Sequence, residues 1–401
     1  MKKYILIILC CLTSFPLWSY NVNMIVEHYS VDQGLPNNTV NCTLKDRDGF
    51  IWFGTWYGLC CFDGVKFKTF NKQEHDSDVP PRKIQRIVED KNGYIWVKTI
   101  DRKLYVFNKV TECFHAVYDD MKNYSENIQV IKLQNTAEGD VLLLTKDKNL
   151  LLAGVDEKGQ VTIKILFDSR NEINKHDYTL KHHVLCETEE YISWIGTDYK
   201  VAAVHKGSEL ASRPADFITS KINSGDKDSF TSFFEDGRKV WVGDRAGIFY
   251  SIDVRTGLVN RYVLSEIKGA ISNLLVTPAG YVYLSVAGQG TYEYDLAERR
   301  LQKINTEMND AMVTHAFIDQ YDKIWFHENE KALIYYDPLN HTAKRFPFTM
   351  FGKITTLYSE DAGERGLFFL SPAGEAWLFD REHAEMVYIC LLYTSPSPRD
   401  A

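Results

Sequence analysis

KDRDGFIWFGTWYGLCCFDG, residues 45–64, decides how the rest of the chain reads. It opens on a tight turn at Asp46, Asp48 and Gly49 and runs through a short aromatic strand, 50–54. It turns again at Trp56 and Tyr57 and leaves through a second strand, 58–62. Apolar runs bounded on both sides by Asp and Gly are a β-hairpin signal. Gly49 suits its turn because glycine reaches positive φ without a Cβ clash. Residues 40–44 read as a strand leading in and 65–70 as a strand leading out, so one unit is four strands.

Degraded copies of the unit recur. Turns at Asp90–Gly93, Thr136–Gly139, Thr188–Glu190, Glu235–Gly237, Pro278–Gly280 and Asp319–Asp322 each precede a strand with a large central residue. An eighth copy, 366–370 followed by 376–379, reads as cut off by the C-terminal tail. The central residues are Trp52, Trp96, Leu142, Trp194, Trp241, Tyr283, Trp325 and Phe369, in steps of 42–52 residues. That period fits four-stranded propeller blades. A β-helix needs a much shorter one, and immunoglobulin domains need about 100 residues each with a Cys–Trp–Cys core. Runs such as Phe50, Ile51, Trp52 and Phe53 are apolar at successive positions, as in sheets covered on both faces. The expected fold is all-β: a seven-bladed β-propeller of four-stranded blades over 24–350, with 351–389 starting a second propeller. Residues 24–31, MIVEHYSV, read as an edge strand.

Composition agrees. The 401 residues are 45% hydrophobic and 13% aromatic, which favours strands. The net charge of −8 is thinly spread, with no basic cluster carrying interleaved aromatics, so nucleic acid is not an expected partner. Lys2 and Lys3 precede the apolar run 4–12 and a polar restart at Asn21, which reads as a signal peptide over 1–20. Residues 390–400, CLLYTSPSPRD, match one reading frame of a sequencing-library transposase adapter; 390–401 are therefore read as an artefact, with the natural chain continuing past 389. Between these ends stand Cys42, Cys60, Cys61, Cys113 and Cys186, an odd set with no C-x-x-C pair. They form no disulfide framework and imply no zinc site, and read as small buried thiols.

In a propeller the strands of a blade alternate in direction. The turns between second and third strands therefore share one rim with the blade-to-blade loops. That rim carries the candidate ligand-binding residues Trp56, Tyr57, Arg102, Asp198, Tyr199, Arg245, Gln289 and Asn329. Loops on a rigid scaffold commonly carry function. Trp56 and Tyr57 suit stacking on sugar faces, and the polar residues suit hydroxyl groups. The regularly placed Trp series reads as blade packing instead.

The pattern D-x-x-G-x-h-W-h-G-T-x-x-G-L, with h apolar, resembles the two-component regulator propeller repeat. Asp46, Gly49, Trp52, Gly54, Thr55, Gly58 and Leu59 match it in order, preceded by Tyr29 to Pro36, YSVDQGLP. A signal peptide before such repeats is similar to the periplasmic sensor region of Bacteroidetes hybrid two-component systems. In that family two seven-bladed propellers precede an immunoglobulin-like Y_Y_Y domain, a membrane helix, a histidine kinase and a receiver. The resemblance implies a periplasmic fragment of an inner-membrane receptor, homodimeric when intact, whose missing second propeller and Y_Y_Y domain are its partners. It implies an oligosaccharide ligand and control of polysaccharide utilisation, with no cofactor and no catalysis by this fragment. Two alternatives stand beside it: a non-catalytic interaction or dimerisation scaffold, and a secreted propeller lyase or glycosidase. No G-x-S-x-G, H-E-x-x-H or G-x-x-x-x-G-K-[ST] motif occurs. Asp101, Asp198, Asp244 and Glu328 nonetheless share the rim, where paired carboxylates could act on a glycoside.

Overall fold

The computed structural model describes residues 29–70, 81–122, 124, 129–169, 180–196, 200–207, 217–221, 230–304, 313–328, 331–351, 358–361, 366–370 and 375–391. They form eight four-stranded antiparallel sheets, each built from four consecutive strands in the order of the chain. We call these blades 1 to 8: residues 40–70, 84–116, 130–167, 180–221, 230–263, 271–303, 313–347 and 358–391. The first has strands Val40–Lys45, Ile51–Thr55, Gly58–Phe62 and Phe67–Phe70. First strands of successive blades lie side by side from blade 1 to blade 3 and from blade 4 to blade 7, and an apolar cluster fills each seam. This is the β-propeller arrangement. Among the described residues no helix is long and apolar enough to cross a membrane.

The repeat motif explains itself at the seams. Trp52, Trp96, Trp194, Trp241 and Trp325 are buried. Four of them donate the indole N–H to the carboxylate of the turn before their strand: Trp52 to Asp46 (2.8 Å), Trp96 to Asp90 (2.9 Å), Trp241 to Asp236 (2.8 Å) and Trp325 to Asp319 (3.3 Å). The same carboxylate caps the turn, as where Asp46 Oδ1 accepts from Asp48 N and Phe50 N. Two residues past the Trp, Gly54 lets the next blade approach. A Cβ there would lie 2.5 Å from both Cys42 Sγ and Ile84 Cγ2. Gly243 is the same position in blade 5, where a Cβ would meet Ser232 Oγ at 2.4 Å and Ile271 Cγ2 at 2.8 Å.

Near the start of each first strand in blades 1, 2, 5, 6 and 7 the pairing with the second strand shifts register. Such a bulge re-aims side chains. Asn41 Nδ2 donates to Ile84 O, Thr231 Oγ1 to Ile271 O and Asn273 Nδ2 to Val313 O, each at 2.7 Å, so that one first strand is tied to the next.

Three local expectations change. Residues 24–28 lie outside the described residues, and Val31–Gln33 is a short 3-10 turn rather than strand. Ser30 and Gln33 form a capping box there, satisfying turn N–H groups that a strand would need a neighbour to satisfy. The eighth blade is complete, with strands Tyr358–Asp361, Gly366–Leu370, Glu375–Asp380 and Glu385–Leu391. It packs on blade 7 through Trp325, Phe346, Phe369, Trp377 and Phe379, as every blade packs on its predecessor. Its last strand includes Cys390 and Leu391, the first two residues of the segment read as adapter. The linker after blade 2 makes one helical turn, Tyr118–Met121, where the sequence reading had only strands and loops.

Candidate functional site

The turns between second and third strands lie on one rim in blades 1 to 3, stitched together by linker backbone. Lys83 N donates to Trp56 O (2.9 Å), and Ile100 N to Lys83 O (2.9 Å). Val130 N donates to Arg102 O (3.0 Å), and Lys146 N to Gln129 O (2.8 Å). Trp56, Tyr57, Lys83, Arg102 and Gln129 therefore follow one continuous arc. Tyr57 is 65% exposed and Trp56 38%. The Lys83 ammonium sits 5.2 Å from the Trp56 ring centroid, a cation–π contact.

The arc runs into a cavity of about 390 Å³ between blade 2 and its helical turn. Asp101, Arg102, Lys103, Tyr118 and Gln129 give it polar edges, over a floor of Leu104, Val117 and Met121. Arg102 has left-handed backbone, φ 66°, and is exposed. Tyr118, 56% exposed, carries Lys122 5.2 Å from its ring centroid. Burial pushes the Asp101 carboxyl up, but the Thr99 hydroxyl and Lys103 outweigh it and hold the group below the usual carboxylate range. An apolar floor with a few convergent polar groups is the ordinary make-up of a small-ligand site. Tyr118 and Gln129 were not singled out from sequence; Val117 and Met121, four residues apart, were the available sign of a helical turn.

The other candidates separate. Arg245 is exposed, in blade 5. Gln289, in blade 6, is engaged by its own linker: its amide accepts from Lys268 N (2.7 Å) and donates to Glu266 O (3.0 Å). Asp198, Tyr199 and Asn329 lie outside the described residues. Two of the four carboxylates weighed for glycoside chemistry have structural partners. Asp244 is buried and caps its turn, accepting from Ala246 N (2.9 Å) and Ile248 N (2.8 Å). Glu328 is buried against Arg345 (2.9 Å).

Among the described residues one acidic trio, Asp46, Asp48 and Glu89, has metal-like spacing, on the opposite face. The Lys109 ammonium occupies its centre, 3.1, 2.8 and 2.7 Å from the three carboxylates. Burial alone would lower the Lys109 pKa; the three carboxylates reverse this and raise it. Three of the thiols are not poised nucleophiles: burial pushes Cys42 and Cys61 up to about 11 and Cys60 up to about 12.

Comparison with known proteins places part of this arc in a family pattern. Residues 34–57 match the family model described as two component regulator propeller, so the first repeat, Trp56 and Tyr57 included, is of that kind. No curated protein sequence matches the chain. Among solved structures, the Dos1 propeller superposes with a TM-score of 0.52 at 13% identity, covering 82% of this chain and 89% of that one, which shows the propeller fold. The extracellular domains of BT3049 and BT4673 from B. thetaiotaomicron, each described as a hybrid two component system, are both 14% identical, with TM-scores of 0.39 and 0.36. The alignments cover 92% and 91% of this chain but 55% and 62% of those domains, so the chain spans little more than half their length.

Proposed function

We propose that this chain is the extracytoplasmic sensory propeller of a membrane-anchored hybrid sensor histidine kinase, and that it takes a glycan-derived oligosaccharide on the rim of blades 1 to 3. The observation that carries the reading is the two-component regulator propeller repeat at 34–57, which ends on the exposed pair Trp56 and Tyr57. The exposed parts of Tyr57 and Trp56 offer apolar ring surface to a sugar. Arg102, Tyr118 and Gln129 supply hydroxyl partners in the adjoining cavity. Ligand binding acts by favouring one arrangement of a dimeric periplasmic receptor, which requires different contacts in its two states. The chain itself is not the catalyst in this reading, consistent with the structural partners of Asp244 and Glu328.

Calorimetric titration of the exported chain against an oligosaccharide panel tests it. A saturable response is expected for at least one glycan. The double substitution Trp56→Ala, Tyr57→Ala is expected to weaken it by about tenfold or more, as loss of an aromatic anchor does. Binding that ignores both substitutions would move the site off this arc. Release of reducing ends or unsaturated products would replace a sensor with an enzyme.

A further inference from the structure

Blade 2 departs from the others at one buried position. Two residues past the central large residue, blades 1 and 5 have Gly54 and Gly243 and blades 3, 6 and 7 have Leu144, Ser285 and His327; blade 2 alone of these has a lysine, Lys98. The residue is only 5% exposed, against the first strand of blade 3. Its ammonium bonds the Gln85 side-chain oxygen. Its cross-strand partner is Arg86, the counterpart of Cys42 opposite Gly54. Among the described residues neither Lys98 nor Arg86 forms an ion pair with a carboxylate. Like charges directly opposite on a sheet repel, and a buried ammonium without an anion is costly. Burial, together with the Arg102 charge, lowers the Lys98 pKa, the mark of a cation lacking its counter-charge.

These groups line a cavity of about 360 Å³ with Lys132, Gln85 and Gln134, and no carboxylate belongs to its lining. We infer that this cavity, at the seam of blades 2 and 3, is an anion site that receives a carboxylate or sulfate group, with Lys98 and Arg86 as its charged ligands and Gln85 holding Lys98 in place. Lys98 stands on the strand, Ile95–Thr99, that leads into the Arg102 turn of the rim, so the bearer we choose is an acidic oligosaccharide lying on the arc, with the oxyanion as one substituent. That choice of bearer rests on the oligosaccharide reading above; the anion site itself does not.

The test uses the full exported chain at constant ionic strength, with three probes: tetragalacturonic acid, its methyl ester and inorganic sulfate. The acid is expected to bind at least tenfold more tightly than the ester, with sulfate competing. Lys98→Gln and Arg86→Gln are each expected to weaken the acid on the order of tenfold, the scale of one charge-assisted hydrogen bond, and to leave the ester unchanged. Lys98→Gly, which installs the glycine that blades 1 and 5 carry here, guards against misfolding and should lose the same discrimination. Equal binding of acid and ester, or acid binding indifferent to all three substitutions, overturns the anion site and leaves the oligosaccharide reading standing. Sulfate binding that needs Lys98, without either oligosaccharide, supports the anion site and counts against the sugar. No binding of any probe overturns the anion site, and the broader panel then decides the sugar.

Discussion

At Asp46 one carboxylate serves four donors at once. Oδ1 takes the N–H groups of its own turn, while Oδ2 takes the Trp52 indole and the Lys109 ammonium. Burial raises its pKa, but the indole and the ammonium more than compensate and hold it below the ordinary aspartate value. Asp46→Asn keeps the size but, with Oδ1 committed to the turn, sets an N–H donor against the indole. It is expected to lower stability by about 2–3 kcal/mol at pH 7, measured by urea unfolding. The sign with pH follows from the depressed value. Native Asp46 adds stability above the unfolded pKa of about 4 and loses it as pH falls through the lower folded value. The gap between wild type and variant should therefore be constant down to about pH 5 and close below about pH 4; a gap as wide at pH 3 as at pH 7 would refute the assignment. The sequence pattern showed Asp46 as a turn former and Trp52 as an apolar centre. Their fixed spacing, six residues at 46–52, 90–96 and 319–325, was visible too, but hydrophobic periodicity carries no information that the indole N–H is the link between them.

Five of the seven seams bring first strands side by side, and there the ties are few and directional. Asn41, Thr231 and Asn273 each reach a carbonyl of the following blade from beside a register shift. Asn41→Ala and Asn273→Ala are each expected to cost about 1 kcal/mol, because the buried carbonyl loses its donor. They belong to different seams, so the double variant should cost the sum to within about 0.5 kcal/mol in thermal or urea unfolding. A markedly larger joint effect would mean that the two seams open together. Strand order and the sharing of rims were legible because a four-strand period dictates them. Linkers have no period. So the engagement of Gln289 by residues 266–268, the Lys83 lid on Trp56 and the helical turn carrying Tyr118 came only from the structure.

Across the whole molecule the sheets form one uninterrupted series. The sequence reading starts a second propeller at 351; in the structure blade 8 covers Trp325 and Phe346 of blade 7. Removing residues 358–391 uncovers that apolar flank. We expect the melting temperature to fall on the order of 5 °C or more, with gain of a hydrophobic dye signal. An unchanged melting temperature would mean that blade 8 belongs to a separately folding unit. Among the described residues no sheet mixes strands from distant parts of the chain; each is finished by the four strands that follow one another in sequence. Heredity can exploit that. A recombination event that duplicates or deletes one repeat in frame adds or removes a finished sheet and strands no partner elsewhere. Lineages carrying this architecture are thus free to vary their number of repeats, and to let single repeats change at a seam position, as blade 2 does with Lys98 where blades 1 and 5 carry glycine.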